Sequence, residues 1–91
     1  MQIIRFKVFE WDKANIEHIA RHQVTPEEAE EVFQERVSVK RVRDDRYMAL
    51  GQTEEGRYLA VVFIRKNNVI RVITARDMEK HERTLYKRKG S

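Results

Sequence analysis

The residues best suited to chemistry gather towards the end of this 91-residue chain, where Arg71-Val72-Ile73-Thr74-Ala75-Arg76 runs directly into Asp77-Met78-Glu79-Lys80-His81-Glu82-Arg83-Thr84-Leu85-Tyr86. Guanidinium groups bind phosphate through planar, bidentate hydrogen bonds and stay charged at any working pH, so two of them bracketing an apolar strand point to an anionic ligand. The plainer alternative is an edge strand with solvated arginines. RNA can be cut without a metal when a base removes the 2′-OH proton, cations stabilise the charge on the phosphorane, and an acid protonates the leaving 5′ oxygen. For that chemistry Arg71, Arg76 and Arg83 are candidate charge stabilisers, and His22, His18 and His81 candidate acids or bases, since the reference pKa of imidazole lies nearest neutrality. Glu82 could act as a base or hold an arginine in place.

Strand geometry constrains this set. Arg71 and Arg76 are five positions apart and point to opposite faces of a regular strand. Sharing a surface requires Arg76 to lie past the strand's end, which is the expectation here, or a bulge between them; otherwise one is structural, with Arg76 pairing Asp77 or Glu79. Arg71 would reach across Arg65 or Tyr58 on neighbouring strands. His18 and His22 stand four apart, as two metal ligands on a helix would, but no third ligand accompanies them and no metal or cofactor is expected. His22 near a helix C-terminus is equally explained by the helix dipole. Trp11 reads as a packing anchor, and Tyr47, Tyr58 and Tyr86 as packing residues before base-stacking ones.

Charge is divided along the chain. Residues 1–35 hold eight acidic and four basic side chains, and residues 36–91 hold seven acidic and fifteen basic, within a net charge of +4. A basic body attracts polyanions, so nucleic acid heads the possible partners. The expected RNA contacts are Arg43, Arg46, Arg65, Lys80 and Lys87. Glu27 and Glu28 are accounted for by the positive end of a helix. Cysteine is absent, which excludes disulfides and thiolate chemistry. No apolar run reaches the roughly 20 residues of a membrane span, and the chain opens on strand-like residues with no cleavable leader, so a cytoplasmic protein without membrane contact is expected.

The elements that must position these groups form one domain over residues 1–91, an α+β fold. A strand is expected over residues 3–9, then a helix from the N-cap Asp12 to about His22, with Ile16, Ile19 and Ala20 on its apolar arc and Asn15, His18 and His22 on another. Thr25-Pro26-Glu27-Glu28 signals a second helix, with Val24 stapled onto it and Ala29, Val32 and Phe33 as its apolar stripe. Strands follow over residues 37–42, with a phase break, and over 46–53, 57–65 and 69–76, with turns at Asp44-Asp45, Glu54-Glu55-Gly56 and Lys66-Asn67-Asn68. Leu59 to Ile64 is apolar on both faces and belongs at the sheet's centre. The result is an N-terminal strand, two helices, a four-stranded antiparallel meander and a C-terminal helix from Asp77 or Met78 to Lys89, whose Lys87, Arg88 and Lys89 complement the dipole.

Several segments together resemble the BrnT family: Phe9-Glu10-Trp11-Asp12 before a helix ending at Arg21-His22, Val24 to Ala29 leading to Val32-Phe33, Gly51, Gly56-Arg57-Tyr58-Leu59 into Val61-Val62, and Arg71 to Arg76 followed by Glu82-Arg83 and Tyr86. The resemblance spans Phe9 to Tyr86. It implies a RelE/ParE-like toxin of a bacterial type II toxin–antitoxin pair, a ribonuclease that arrests growth and is neutralised by a small ribbon-helix-helix antitoxin covering its basic cleft. Arg71, Arg76, Glu82, Arg83, Asp12 and His22 match the family pattern. The chain departs from it in a shorter first helix, in His18 where members often carry asparagine, in Gln23 at a usual glycine, and in Lys13 as the only counterpart of an early lysine. It is closer to a branch marked by Trp-Asp-x-x-Asn-Ile-Glu-His-Ile-Ala-Arg-His. The alternative function is a non-catalytic module that keeps the fold and binds nucleic acid or protein.

Overall fold

A computed structural model describes residues 8–34 and 36–90. Its elements are β1 (Val8–Glu10), α1 (Lys13–Ala20), α2 (Pro26–Glu31), β2 (Ser38–Arg43), β3 (Arg46–Gln52), β4 (Tyr58–Lys66), β5 (Val69–Asp77) and α3 (Lys80–Gly90). The part of the first expected strand over residues 3–7 lies outside the described residues. The expected meander is present, but the sheet has five strands, ordered β1-β5-β4-β3-β2. β1 pairs in parallel with β5, Phe9 opposite Ile70 and Glu10 opposite Arg71. No helix among the described residues is long and apolar enough to cross a membrane.

Both N-terminal helices begin where cap chemistry requires. Asp12 Oδ1 accepts from the Asn15 amide and Asn15 Oδ1 accepts from the Asp12 amide; Thr25 and Glu28 exchange the same pair of bonds ahead of Pro26. At its other end α1 closes in a Schellman arrangement, with the Val24 amide donating to Ile19 O and the Gln23 amide to Ala20 O. Val24 and Ile19 then meet in the core. The turn requires Gln23 at φ +57°, the left-handed conformation glycine adopts without cost.

One face of the sheet carries Ala49, Leu59, Val61, Phe63, Ile70, Val72 and Ala75, covered by Ile19, Val24, Ala29, Val32 and Phe33. The opposite face carries Leu50 and Ala60 beneath Met78 and Tyr86, with Met48 and Tyr58 beside them. The apolar arc expected on α1 is corrected: Ile19 is buried, but Ile16 is 37% exposed and Ala20 faces solvent. Asn15 is buried in its place, because its Nδ2 donates to Glu10 O and Val72 O and so ties α1 to both parallel strands. A buried amide with its bonds made is tolerated where an unpaired one is not. Trp11 anchors as expected, Nε1 donating to Glu30 at 2.8 Å.

The C-terminal helix starts at Lys80, later than Asp77 or Met78. Asp77 pairs with Leu59, and the Met78 amide donates to Tyr58 O, so the ladder holds these residues extended. At Gly51 the helical layer touches the sheet directly: a Cβ there would lie 2.6 Å from Val32 O and 2.8 Å from Val32 Cγ1. Gly51→Ala is therefore expected to lower unfolding free energy by about 1–3 kcal/mol through overpacking, read from the urea midpoint. In the opposite direction, Gln23→Gly relieves the left-handed residue and should stabilise by about 0.5–1 kcal/mol in the same assay.

Candidate functional site

A single inserted residue decides which side chains share a face. β4 pairs with β3 in unbroken register, so Ala60, Val62 and Ile64 alternate regularly with Leu59, Val61 and Phe63. Across β5 the register slips by one: Thr74 faces Val62 but Val72 faces Phe63, leaving Ile73 as the extra residue of a β-bulge. Arg71 consequently stands opposite Ile64 and Arg76 opposite Ala60, both on the face that carries α3. The expectation that Arg76 lies past the strand's end is corrected, since it is inside β5 and the bulge does the re-aiming.

Arg76 is held by α3. Its Nη1 and Nη2 donate to Glu82 Oε1 and Oε2 at 2.7 and 2.9 Å, and Nη1 also reaches Asp77 O. The main carboxylate partner is thus Glu82, which holds the arginine as one of its two expected roles allowed, rather than Asp77 or Glu79 as in the structural alternative. Glu82 is buried, and its Oε1 also accepts from the Glu79 amide, capping the start of α3. The hydrogen bond from Arg76 lowers the Glu82 pKa; burial opposes the shift, and the Glu79 amide adds to it.

Arg71 does not reach Arg65 or Tyr58. It spans the β5–β1 edge, donating to Asp12 Oδ2 at 2.9 Å and lying 3.6 Å from Glu10. Its hydrogen bond, followed by that of the Asn15 amide, holds the Asp12 carboxyl below its ordinary pKa. One carboxylate therefore caps α1 and orients an arginine of the sheet.

The remaining basic residues divide between faces. Arg46 pairs with Ile64 and with Arg43, so both join the face of Arg71 and Arg76. Lys87 Nζ lies 5.3 Å from the centre of the Tyr58 ring on that same side, and Tyr58 meets Tyr86 edge-on. Lys80 is exposed at the start of α3, and Arg83 is exposed one turn on. Arg65 stands apart: it follows Phe63 by two positions and lines a hollow with Val39, Tyr47, Phe63, Asn67 and Asn68 on the opposite face. There Tyr47 is stacked on Phe63.

His22 is tied to Arg57 rather than to Arg76. Its carbonyl accepts from Arg57 Nη2, and it adds to the electrostatic field that lowers the Asp77 pKa, an effect led by the hydrogen bond from Arg57. The sequence reading missed Arg57, which donates to Asp77, Glu28, Gln23 O and His22 O. Its partners lie 20 to 35 positions away, so no local spacing could have revealed it. His81 is the histidine nearest the Arg76–Glu82 pair, close enough to contribute to the lowered Glu82 pKa, and its Nδ1 lies 3.6 Å from Glu79. Glu79, His81 and Glu82 are the group of described residues whose ligand atoms could surround a cation. An ion there would compete with Arg76 for Glu82.

Because Glu82 has a lower pKa folded than unfolded, its ionised form stabilises the fold above the ordinary glutamate range, and that contribution disappears as pH falls through the folded pKa. Acid titration of thermal stability should show a descending limb that Glu82→Gln makes shallower, while neutral-pH stability falls.

Comparison with curated proteins found no significant match. A family profile described as "Ribonuclease toxin, BrnT, of type II toxin-antitoxin system" matches residues 11–82. Among solved structures, the 1.1 Å crystal structure of the Brucella abortus ribonuclease toxin BrnT superposes with a TM-score of 0.66 at 23% identity, covering 81% of this chain and 96% of that one. That likeness establishes a shared mixed α+β fold, and the profile spans most of the elements that carry the arginines, Asp12 and Glu82. The chain belongs to the BrnT family of type II toxin–antitoxin ribonuclease toxins.

Proposed function

We propose that the sheet face carrying Arg43, Arg46, Arg71 and Arg76 binds RNA, and that the chain cleaves it without a metal through the 2′-OH. The observation that carries this reading is the Ile73 bulge, which brings Arg71 and Arg76 to one face with Arg76 held in a two-point grip by Glu82. Arg43 and Arg46 are direct cross-strand partners. Like charges so opposed are unfavourable until an anion bridges them, and a phosphate backbone supplies one.

In this mechanism the 2′ oxygen bonds to phosphorus as its proton passes to a base, the bond from phosphorus to the 5′ oxygen breaks, and an acid protonates the departing oxygen. The products are a 2′,3′-cyclic phosphate and a 5′-hydroxyl. Arg76 stabilises the phosphorane charge, Glu82 positions Arg76, and Arg71, Arg83, Lys80 and Lys87 contact neighbouring phosphates. His81, beside Glu82, is the better situated proton-transfer group, with His22 the second candidate.

The family's type II character implies an antitoxin, here read as a ribbon-helix-helix protein, and the meander with its flanking helices supports a RelE/ParE-like ascription. Its place of action in this reading is the cytoplasm, where RNA is available.

Purified protein incubated with single-stranded RNA in EDTA at low salt should yield cyclic-phosphate ends. Arg76→Ala should slow cleavage by roughly 10²–10³-fold, the usual effect of removing one charge-stabilising donor. His81→Ala should cost more activity than His22→Ala. Absence of cleavage with retained RNA binding would replace this reading with the non-catalytic module.

A further inference from the structure

We propose that the outer edge of β2 accepts an added strand from the antitoxin, a segment alternating acidic and apolar residues. Among the described residues β2 is the terminal strand of the sheet, hydrogen-bonded to β3 alone, so that its other side presents an open backbone edge. Ser38 to Arg41 pair regularly with Leu50 to Tyr47, and the register breaks only at Val42. Four regular residues therefore offer a straight template for main-chain pairing.

The side chains along this edge select the occupant. Residues 36–43 read Arg-Val-Ser-Val-Lys-Arg-Val-Arg, without one acidic group. Val39 and Val42 are nevertheless 48% and 47% exposed, so the edge is both apolar and basic. A second copy is disfavoured, because pairing β2 with itself would bring Lys40, Arg41 and Arg43 against the same charges. An acidic strand meets Lys40 and Arg43 favourably on one face, while Arg41, on the face of Val39, donates to Asp44 O. The same cations that guard the edge against self-association thus admit a partner of opposite charge.

Alternation makes the match two-sided. Val39 pairs with Ala49 and Lys40 with Met48, so they point to opposite faces. An added strand would set apolar side chains beside Val39 and acidic ones beside Lys40. On the Val39 side, two adjoining hollows share Val39, Phe63, Arg65 and Asn68, and one extends to Phe33 and Val37. That floor receives the apolar side chains, with Arg65 at its rim. RNA would satisfy Lys40 but leave Val39 and this floor without an apolar partner.

The inference depends on the toxin reading only for calling the partner the antitoxin. Its test uses a nine-residue peptide, Glu-Val-Glu-Ile-Glu-Val-Asp-Ile-Glu, a version with lysine at every acidic position, and a single-stranded oligouridylate, each added to the full chain. The expected result is slowed amide hydrogen exchange across residues 38–41 with the acidic peptide alone. Lys40→Glu and Val39→Ala should each weaken that peptide by roughly tenfold in Kd. Val39 and Lys40 are exposed, and unchanged thermal unfolding verifies that both variants fold. The proposal is overturned if β2 exchange is unaffected by the acidic peptide, if the lysine peptide protects it equally, if oligouridylate protects it instead, or if sedimentation reveals a dimer that already buries β2. RNA cleavage without peptide docking would sink this inference and leave the proposed function standing; docking without cleavage would do the reverse.

Discussion

The extra residue in β5 is the constraint on which the molecule's arrangement depends. Before Ile73 the strand sends Ile70 and Val72 to the helix-covered core, and after it Ala75 continues in that core. Without the slip, one half of the strand would present arginine to the apolar layer and alanine or valine to the open face, since a change of one residue reverses every side chain. The bulge therefore reconciles two demands on one strand. It keeps an unbroken core on one side and places two guanidiniums on the other.

Polar side chains with distant partners complete the architecture that burial begins. Asn15 joins α1 to Glu10 and Val72, Asp12 joins the same helix start to Arg71, and Glu82 joins α3 to Arg76. Each contact fixes a helix terminus against the sheet, where apolar packing alone leaves a short helix free to slide. The candidate site is built from two of these fixtures. Its arginines are oriented by carboxylates that also cap helices, so the surface chemistry and the helix starts are one construction.

Local sequence signals exposed much of this design. The capping boxes at Asp12 and Thr25 rest on residues three apart, and the meander is punctuated by Asp44, Gly56 and Asn67, all at positive φ in the turns expected there. The central position of β4 follows from its two apolar faces. Long-range pairing was not legible. The parallel union of β1 with β5 has no nearby signal, and Asn15 looks like a surface residue until the carbonyls that it satisfies are known. Alternation exposed the conflict between Arg71 and Arg76 but could not choose between a strand end and a bulge, because Ile73 is a good strand residue in either case. Glu82 was legible as a holder of arginine; the link of His22 to Arg57 was not, since it depends on how α1 docks.

Arg57 has a consequence for the order of events in folding. It joins the carbonyls at the end of α1, the first turn of α2 and the last residue of β5, with partners on both sides in sequence. The bonds to Asp77 form only once β5 has returned along β4, and those to Glu28 and the α1 carbonyls only once the N-terminal helices have docked, so each arrives after an entropy of closure has been spent. Such late contacts influence how fast a native molecule opens more than how fast it forms. The guanidinium thus acts as a latch that ties the end of α1, the first turn of α2 and the end of β5 at one point.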